Sequence, residues 1–454
     1  MADKHRSQTQ KPVTLRGIDY YIKLKDNEQL CFLHIPKTAG TTIENILAHL
    51  LGSRNVLVVP WTKFASESPV NLNAYKVIAG HFYYEIYKLL EKTPLFMTFL
   101  RDPIERSISQ YYQSLGTRGG HPFLLPNPAP KHEQLQDQNM SIDEYMEDTN
   151  LNRNILNLQT TMLGWQTEFP IKNLRELMRP MDRSGQVSVN LAKKRLDSMA
   201  FVGITERMRE SINLFTYTFR LAPVLSVPAL NTTSSRLRKT ELAPQQLNKL
   251  RQLNRLDLDF YEYAQMLFDF RYDQMIQYLY NEYGDVVRSL PVEEMLTIDY
   301  WRSFVERNGK FSCQIRYDFL APFPRAGWHP LEEADGEHWV WSGPENVSFV
   351  DLPLDRTSEL QVRFRVRYCV SSDVLESLKL LVDGLEVSLD FIKDGDGETI
   401  YQGMLPRSKK GNQLNASRLS FCVNHTSYPV NTKPNTPGIR LLGVALSWIE
   451  IKPG

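Results

Sequence analysis

A short loop of small residues interrupts an apolar run in the segment FLHIPKTAGTTIENIL, residues 32–47. The apolar run before the loop predicts a buried strand, and the spacing of Ile43, Ile46 and Leu47 after it predicts a helix that packs by one face. The first N–H groups of such a helix, together with Lys37 and the loop hydroxyls, can bind a phosphate group. The lysine precedes the glycine, which is not the order of the Gly-x-x-x-x-Gly-Lys-Ser/Thr loop of nucleoside triphosphatases. The segment therefore predicts a P-loop-like anion site of a different kind.

Short apolar runs alternate with helical patterns from about residue 29 to residue 285, which is typical of an α/β domain with a parallel sheet flanked by helices. The predicted strands are residues 30–34, 56–59, 77–79, 95–100 and 201–204. Asp102 and Pro103 are predicted to cap and begin the helix after the fourth strand. A polar N-terminal segment, residues 1–28, precedes this domain, and residues 116–140 are predicted to form a long loop.

The pattern changes beyond about residue 311, where apolar and polar residues alternate between Gly, Pro and Asn turns, as in LQVRFRVRYCV and IRLLGVALSWIEI. This predicts an all-β domain, an antiparallel sandwich of residues 311–454, after a connector of residues 286–310. Three tryptophans of this domain, Trp328, Trp339 and Trp341, could stack on sugar rings and make it carbohydrate-binding. Packing in a core or against another domain explains them equally well.

The charge of the chain limits its partners. A formal net charge of +1 over 454 residues gives no support to nucleic-acid binding or to a polybasic membrane protein, so any anion site is local. The N-terminal residues are polar, and nowhere does the chain hold the roughly 18 consecutive apolar residues of a transmembrane segment. These observations predict a cytoplasmic protein.

Polar residues follow four of the predicted strands, at positions 34–37, 80–81, 101–103 and 205–207. In a parallel α/β sheet, ligands bind at the carboxyl ends of the strands. The four groups are therefore predicted to converge on one crevice.

The segments HIPKTAGTT and FLRDPIERSISQYY, about sixty residues apart, resemble the paired donor-binding motifs of carbohydrate sulfotransferases, in particular the family that contains heparan sulfate and uronyl 2-O-sulfotransferases. AGHFYY, FVGITERM and SSRLRKT are similar to that family in order and spacing, so the resemblance covers about residues 29–285. It implies the sulfotransferase fold and transfer of a sulfuryl group from 3′-phosphoadenosine 5′-phosphosulfate (PAPS) to a hydroxyl. The implied acceptor is a glycan, polysaccharide or glycolipid, and no metal is expected.

Carried over position by position, the resemblance assigns individual roles. The residues implied for the 5′-phosphosulfate lie in the loop and are Lys37, Thr38, Gly40, Thr41 and Thr42. Lys37 also neutralises charge on the leaving phosphate. Arg101 and Ser109 are implied for the 3′-phosphate, and Arg238 and Lys239 lie in the segment that closes over the nucleotide. His81 matches the catalytic base, and an imidazole suits that task near neutral pH.

Two other classes of function remain open at this point. A glycan-binding protein with an inactive sulfotransferase-like domain would show affinity for glycans without turnover. An atypical nucleotide kinase or triphosphatase would bind a triphosphate together with Mg²⁺.

Several neighbouring side chains also have structural interpretations. His34, at a strand end, is predicted to be a hydrogen-bonded structural histidine. Arg106 lies four residues after Asp102 and is predicted to form a surface ion pair with it. Glu85 is predicted to be an exposed helix carboxylate, with orientation or replacement of His81 as the alternative.

Overall fold

The computed structural model describes residues 24–25, 27–51, 55–59, 71–115, 140–168, 170–177, 186–224, 237–308, 311–320, 323–393, 399–408, 416–429 and 440–454. These residues fall into two compact units, one with a parallel sheet and one with antiparallel sheets, and the main segment of the second is Ile276–Gly454. The predicted loop at 116–140 lies outside the described residues except for Met140.

The strands of the first unit are β1 (Glu28–Leu33), β2 (Val56–Val58), β3 (Val77–Gly80), β4 (Thr93–Leu100), β5 (Trp165–Gln166), β6 (Gln186–Val187) and β7 (Phe201–Ile204). Five of them form a parallel sheet in the order β2-β3-β1-β4-β7, which confirms all five predicted strands, and β5 and β6 pair separately. The central strand β1 is buried from its second residue onward, as expected for a parallel strand covered on both faces.

The helices before residue 284 are α1 (Gly40–Leu51), α2 (Pro103–Leu115), α3 (Ile142–Glu147), α4 (Leu158–Gly164), α5 (Leu174–Leu177), α6 (Val189–Ser198), α7 (Met208–Thr218), α8 (Pro244–Leu253) and α9 (Arg255–Tyr283). The Oδ1 atom of Asp102 accepts hydrogen bonds from the N–H groups of Ile104 and Glu105 at 2.9 and 3.0 Å, so the predicted cap of α2 is confirmed. In the part of the chain that the structure describes, no helix has the length and apolarity needed to cross a membrane.

The second unit contains helices α10 (Val292–Asn308) and α11 (Ser372–Glu376) and strands β8 (Ile315–Tyr317), β9 (Arg325–Ala326), β10 (Glu332–Ala334), β11 (Glu337–Trp341), β12 (Val347–Leu352), β13 (Leu360–Cys369), β14 (Lys379–Val382), β15 (Leu385–Val387), β16 (Leu389–Lys393), β17 (Thr399–Leu405), β18 (Ser417–Cys422) and β19 (Val444–Pro453). One antiparallel sheet has the order β10-β11-β19-β13-β17-β16, with β8 also paired to β19, and the other has the order β15-β14-β18-β12-β9.

The two antiparallel sheets share one apolar core. Phe364 of β13 and Phe421 of β18 meet in it with ring centroids 5.1 Å apart, so the predicted sandwich is confirmed. Helix α10 lies in the segment predicted as a connector, and its Trp301 packs 5.9 Å from the rings of Phe311 and Phe323. The predicted domain boundaries themselves stay a prediction.

Candidate active site

The loop between β1 and α1 has an unusual main-chain conformation. Lys37 and Ala39 both have positive φ angles, 71° and 66°, which residues with a side chain rarely adopt. Two hydrogen bonds hold this conformation: the Thr38 hydroxyl donates to the Ile35 carbonyl at 2.8 Å, and Arg101 Nη1 donates to the Lys37 carbonyl at 3.1 Å. Because α1 has no acidic residue in its first turn, the positive end of its dipole favours an anion here.

One face of α2 lies along this loop. The Lys37 ammonium donates to Oε1 of Gln113 at 3.0 Å. Glu105, Ser109 and Gln113 follow each other at four-residue spacing, so they share that helix face. Ser109, half-buried, therefore lies one turn from the contact made by Lys37, which places two residues of the predicted donor site on neighbouring elements.

The first turn of α1 packs against His34. A Cβ atom at Gly40 would lie 1.9 Å from Cδ2 and Nε2 of the His34 ring, so a side chain at position 40 would overlap that ring. His34 is hydrogen-bonded as predicted, since its Nδ1 and Oε1 of Glu44 are 2.7 Å apart. Thr41 is exposed and Thr42 is buried in the same turn. Close packing against His34 therefore requires glycine at position 40, independently of its predicted contact with the donor.

His81 follows β3 and is held as a defined tautomer. Its Nδ1 lies 2.6 Å from the His34 carbonyl oxygen, which can only accept, so Nδ1 carries the proton and the neutral ring has its lone pair on Nε2. Burial lowers the pKa of His81 to about 3, and the nearby charges of His34 and Lys37 act in the same direction. The ring is therefore neutral throughout the physiological pH range, with no proton on Nε2.

Arg101 and Lys239 belong to one network of charged groups. Arg101 lies 3.9 Å from a carboxylate oxygen of Glu105 and 3.7 Å from one of Glu206. The Lys239 ammonium donates to Asp102 at 2.8 Å, and its main-chain N–H donates to Glu105 at 2.9 Å. The network joins the ends of β4 and β7, the start of α2 and the segment before α8, so the predicted convergence at the sheet edge is confirmed for these residues.

The segment of residues 237–239 docks on α2. The Leu237 N–H donates to the Tyr112 hydroxyl at 3.2 Å, next to the contacts made by Lys239. Arg238 is exposed between them, and its N–H donates to Glu241 at 2.6 Å. Of the two basic residues predicted in this segment, the structure joins Lys239 to the Arg101 network and leaves the Arg238 side chain at the surface.

Sequence reasoning missed the buried support beneath Arg101. The Gln159 side chain accepts from the Arg101 N–H and donates to the Arg101 carbonyl, both at 2.9 Å. The carboxylate of Asp257 in turn accepts from the N–H groups of Gln159 and Thr160 at 3.1 and 2.7 Å. These hydrogen bonds fix the main chain at the end of β4. These partners are distant in the sequence, so no local sequence pattern predicts their contacts.

Two predictions about charged side chains are wrong. Arg106 is fully buried rather than at the surface, and it donates to the Asn154 carbonyl at 3.1 Å because α2 is covered on that side. Burial lowers its pKa to about 10. Glu85 is also buried rather than exposed: it pairs with Arg195 of α6 and lies 2.6 Å from the Lys88 ammonium. A carboxylate used in this way supports the fold and is not placed to replace His81.

The chemistry of the site follows from these groups. A helix N-terminus, an ammonium and a guanidinium suit phosphate groups, and a neutral imidazole beside them can take up a proton. Among the residues with described positions, no group of three or more His, Cys, Asp or Glu is placed to hold a metal ion.

Several heparan-sulfate sulfotransferases are similar to this chain in sequence. Heparan-sulfate 6-O-sulfotransferase 2 of Gallus gallus is 27% identical over 310 residues, which cover 58% of this chain and 72% of the relative. The Danio rerio protein of the same name is 26% identical over 296 residues, 56% of this chain and 60% of the relative. Human heparan-sulfate 6-O-sulfotransferase 1 is 29% identical over 187 residues, 39% of this chain and 44% of the relative.

The motifs resemble those of 2-O-sulfotransferases, whereas these relatives are heparan-sulfate 6-O-sulfotransferases. The resemblance to carbohydrate sulfotransferases is confirmed. The model of the sulfotransferase family matches residues 20–264. Since this match extends over more than half of the 454 residues, the chain belongs to the sulfotransferase family.

Proposed function

We propose that the protein transfers a sulfuryl group from PAPS to a hydroxyl of a glycan or glycosylated acceptor, with His81 as the general base. The observation that carries this proposal is the pairing of a neutral imidazole, with its lone pair on Nε2, and an anion-binding loop at the carboxyl ends of two adjacent strands, β3 and β1. Family membership supports PAPS as the donor. The heparan-sulfate sulfotransferases among the relatives support a glycan acceptor.

The residues proposed to bind the phosphosulfate are those of the loop and the first turn of α1: Lys37, Thr38, Gly40, Thr41 and Thr42. The Thr38 hydroxyl already donates to the Ile35 carbonyl, so we assign its contribution to its N–H group. Arg101, Ser109, Arg238 and Lys239 are proposed for the remainder of the nucleotide, including its 3′-phosphate. Arg101 supplies a planar pair of donors, and Lys239 a point charge beside it.

In the proposed reaction, His81 accepts a proton, and Lys37 with the loop N–H groups stabilises the leaving phosphate. PAPS supplies a sulfuryl group whose bond to a phosphate oxygen breaks as the bond to the acceptor oxygen forms. Nε2 of His81 accepts the proton that the acceptor hydroxyl loses, while the bond from Nδ1 to the His34 carbonyl keeps the ring in place. Lys37 and the N–H groups of the loop meet the negative charge that develops on the phosphate, without having to reorganise.

We expect the protein to bind adenosine 3′,5′-bisphosphate more tightly than AMP or ATP, and to do so in excess EDTA. Arg101→Ala should remove most of this preference, because loss of one charge-assisted contact to phosphate weakens binding by about 10- to 150-fold. Arg251→Ala removes an exposed arginine on α8 and is the matched control. Calorimetry with each nucleotide, with and without Mg²⁺, measures the effect.

Two results would exclude the proposal in favour of its alternatives. Tighter binding of Mg-ATP than of the bisphosphate would favour a nucleotide kinase. Incubation with labelled PAPS and a panel of glycans tests the other alternative, since glycan binding without any transfer of label would indicate an inactive glycan-binding protein.

A glycan contact on the sandwich also remains a proposal. Trp328 and Trp339 pack inside this domain, but Trp341 stacks on the Tyr368 ring at an interplanar angle of 16°, and Tyr368 is 43% exposed. Tyr368→Ala should weaken glycan affinity by about 2- to 10-fold, the usual value of one aromatic contact. Phe391→Ala, which removes a ring from β16 that is 53% exposed, is the control in the same binding assay. Equal effects of the two variants would exclude a specific site at Tyr368.

A further inference from the structure

The proposed base lies against a second imidazole. The ring centroids of His34 and His81 are 4.2 Å apart, with the ring planes tilted by 44°. The same residue, His34, also provides the carbonyl oxygen that accepts from His81 Nδ1 at 2.6 Å. His34 therefore contacts His81 twice, once through its main chain and once through its ring.

The His34 ring is itself fixed from several directions. Oε1 of Glu44, in the second turn of α1, lies 2.7 Å from His34 Nδ1, and both side chains are largely buried, with 14% and 10% exposed. A carboxylate only accepts, so Nδ1 of His34 carries a proton. The opposite edge of the ring, Cδ2 and Nε2, occupies the space that a Cβ atom at Gly40 would fill. The Phe32 ring lies parallel to it with centroids 5.6 Å apart.

We propose that Glu44 is a positioning residue that acts through His34 on His81. The Glu44 carboxylate sets the orientation and the proton position of the His34 ring. The His81 imidazole packs against this ring, which limits the orientations that it can adopt. The inference rests on the proposed transfer reaction, in which His81 Nε2 must point at the acceptor hydroxyl. Glu44 is expected to affect the chemical step and not the binding of donor.

The contacts explain why loss of Glu44 should slow the chemical step without weakening the binding of donor. Without Glu44, no hydrogen bond fixes the proton position of the His34 ring, and the ring can tilt between Gly40 and Phe32, so fewer orientations of His81 Nε2 are productive. The hydrogen bond to the His34 carbonyl remains, because it belongs to the main chain. The loop conformation also remains, because the Thr38 hydroxyl and Arg101 hold it.

Two substitutions at Glu44 and one control test the proposal in the full-length protein. Glu44→Ala should lower kcat by about 10- to 100-fold, the usual effect of losing a group that orients a functional side chain. Glu44→Gln keeps an acceptor at Oε1 and should recover most of kcat. Both should bind adenosine 3′,5′-bisphosphate with a Kd within about 2-fold of wild type. Asn45→Ala, at the adjacent exposed position of α1, should leave kcat and Kd unchanged.

Nitrogen NMR of the histidine side chains provides a readout that does not depend on activity. In the wild type, both His34 and His81 should carry a proton on Nδ1. In Glu44→Ala, His34 should change to a mixture of tautomers while His81 keeps its Nδ1 proton. A change confined to His34 together with a fall in kcat supports the proposal.

Three outcomes would overturn it. One is a Glu44→Ala enzyme with the kcat of wild type, and another is a fall in bisphosphate affinity and Tm in proportion to kcat, as for a purely structural role. The third is a His34 spectrum that Glu44→Ala does not alter. If wild type transfers no sulfuryl group at all, the proposed function fails, and the NMR comparison still decides whether Glu44 positions His34.

Discussion

Replacing His81 with alanine is expected to lower kcat by about 10²- to 10⁴-fold, the usual contribution of a positioned general base. The affinity for adenosine 3′,5′-bisphosphate should change by less than about 2-fold, because in the proposed reaction His81 contacts the acceptor and not the donor. Initial rates with labelled PAPS and calorimetry with the bisphosphate measure the two quantities. His425→Ala, which removes a half-exposed histidine of the sandwich, is the control.

The pH dependence provides a second test of the same residue. With a pKa near 3, His81 is in its neutral, proton-accepting form at higher pH and loses this form only as the pH falls through that value. The profile of kcat/KM reports the free enzyme, so it should show no acidic limb from His81 between about pH 5 and 8. A negatively charged donor would raise the pKa of His81, so the acidic limb of kcat should lie at higher pH than that of kcat/KM. A kcat for His81→Ala equal to that of wild type would transfer the role of base to another group.

Replacing Lys37 with alanine is expected to lower kcat/KM by about 10²- to 10³-fold, the usual cost of removing one group that stabilises developing negative charge. The fold should persist for two reasons. The Lys37 ammonium bonds to the exposed Gln113, and Arg101 holds the main-chain carbonyl, which remains. Alanine is no more strained than lysine at a φ of 71°, so the loop gains no new reason to rearrange.

The control for this experiment is Lys249→Ala, which removes an exposed lysine from α8. Thermal unfolding should give similar Tm values for wild type and both variants. If Lys37→Ala retains more than about a tenth of the wild-type rate, Lys37 supplies less than about 1.4 kcal/mol and is not the group that meets the leaving charge.

The sheet and its functional edge could be predicted because the signals are local. Buried parallel strands are short apolar runs. Because the strands are parallel, the residues after β1, β3, β4 and β7 lie at one edge of the sheet. The start of α2 could also be predicted, because an Asp-Pro pair before an amphipathic stretch is a local signal for the beginning of a helix. For the same reason, the alternation in β13 was enough to predict the sandwich.

The partners of individual side chains could not be predicted, because they depend on tertiary contacts. Glu44 reaches His34 across a loop of unusual main-chain conformation, and nothing in the spacing of these two residues indicates that contact. Arg106 and Glu85 have the sequence context of surface residues, yet α2 and the turn at residues 84–89 are covered where they lie. Gln113 could have been found, since it is one helical turn beyond Ser109 on the same face.

The carboxylates around Arg101 and Lys239 have a consequence for how tightly any nucleotide is held. Asp102, Glu105 and Glu206 already occupy the neighbourhood of these cations and act as internal competitors for them. When a phosphate binds there, Arg101 and Lys239 exchange carboxylate partners for phosphate oxygens. The observed affinity is therefore the attraction to phosphate minus the attraction to these carboxylates. In the proposed reaction, this competition favours release of the spent nucleotide, which turnover requires.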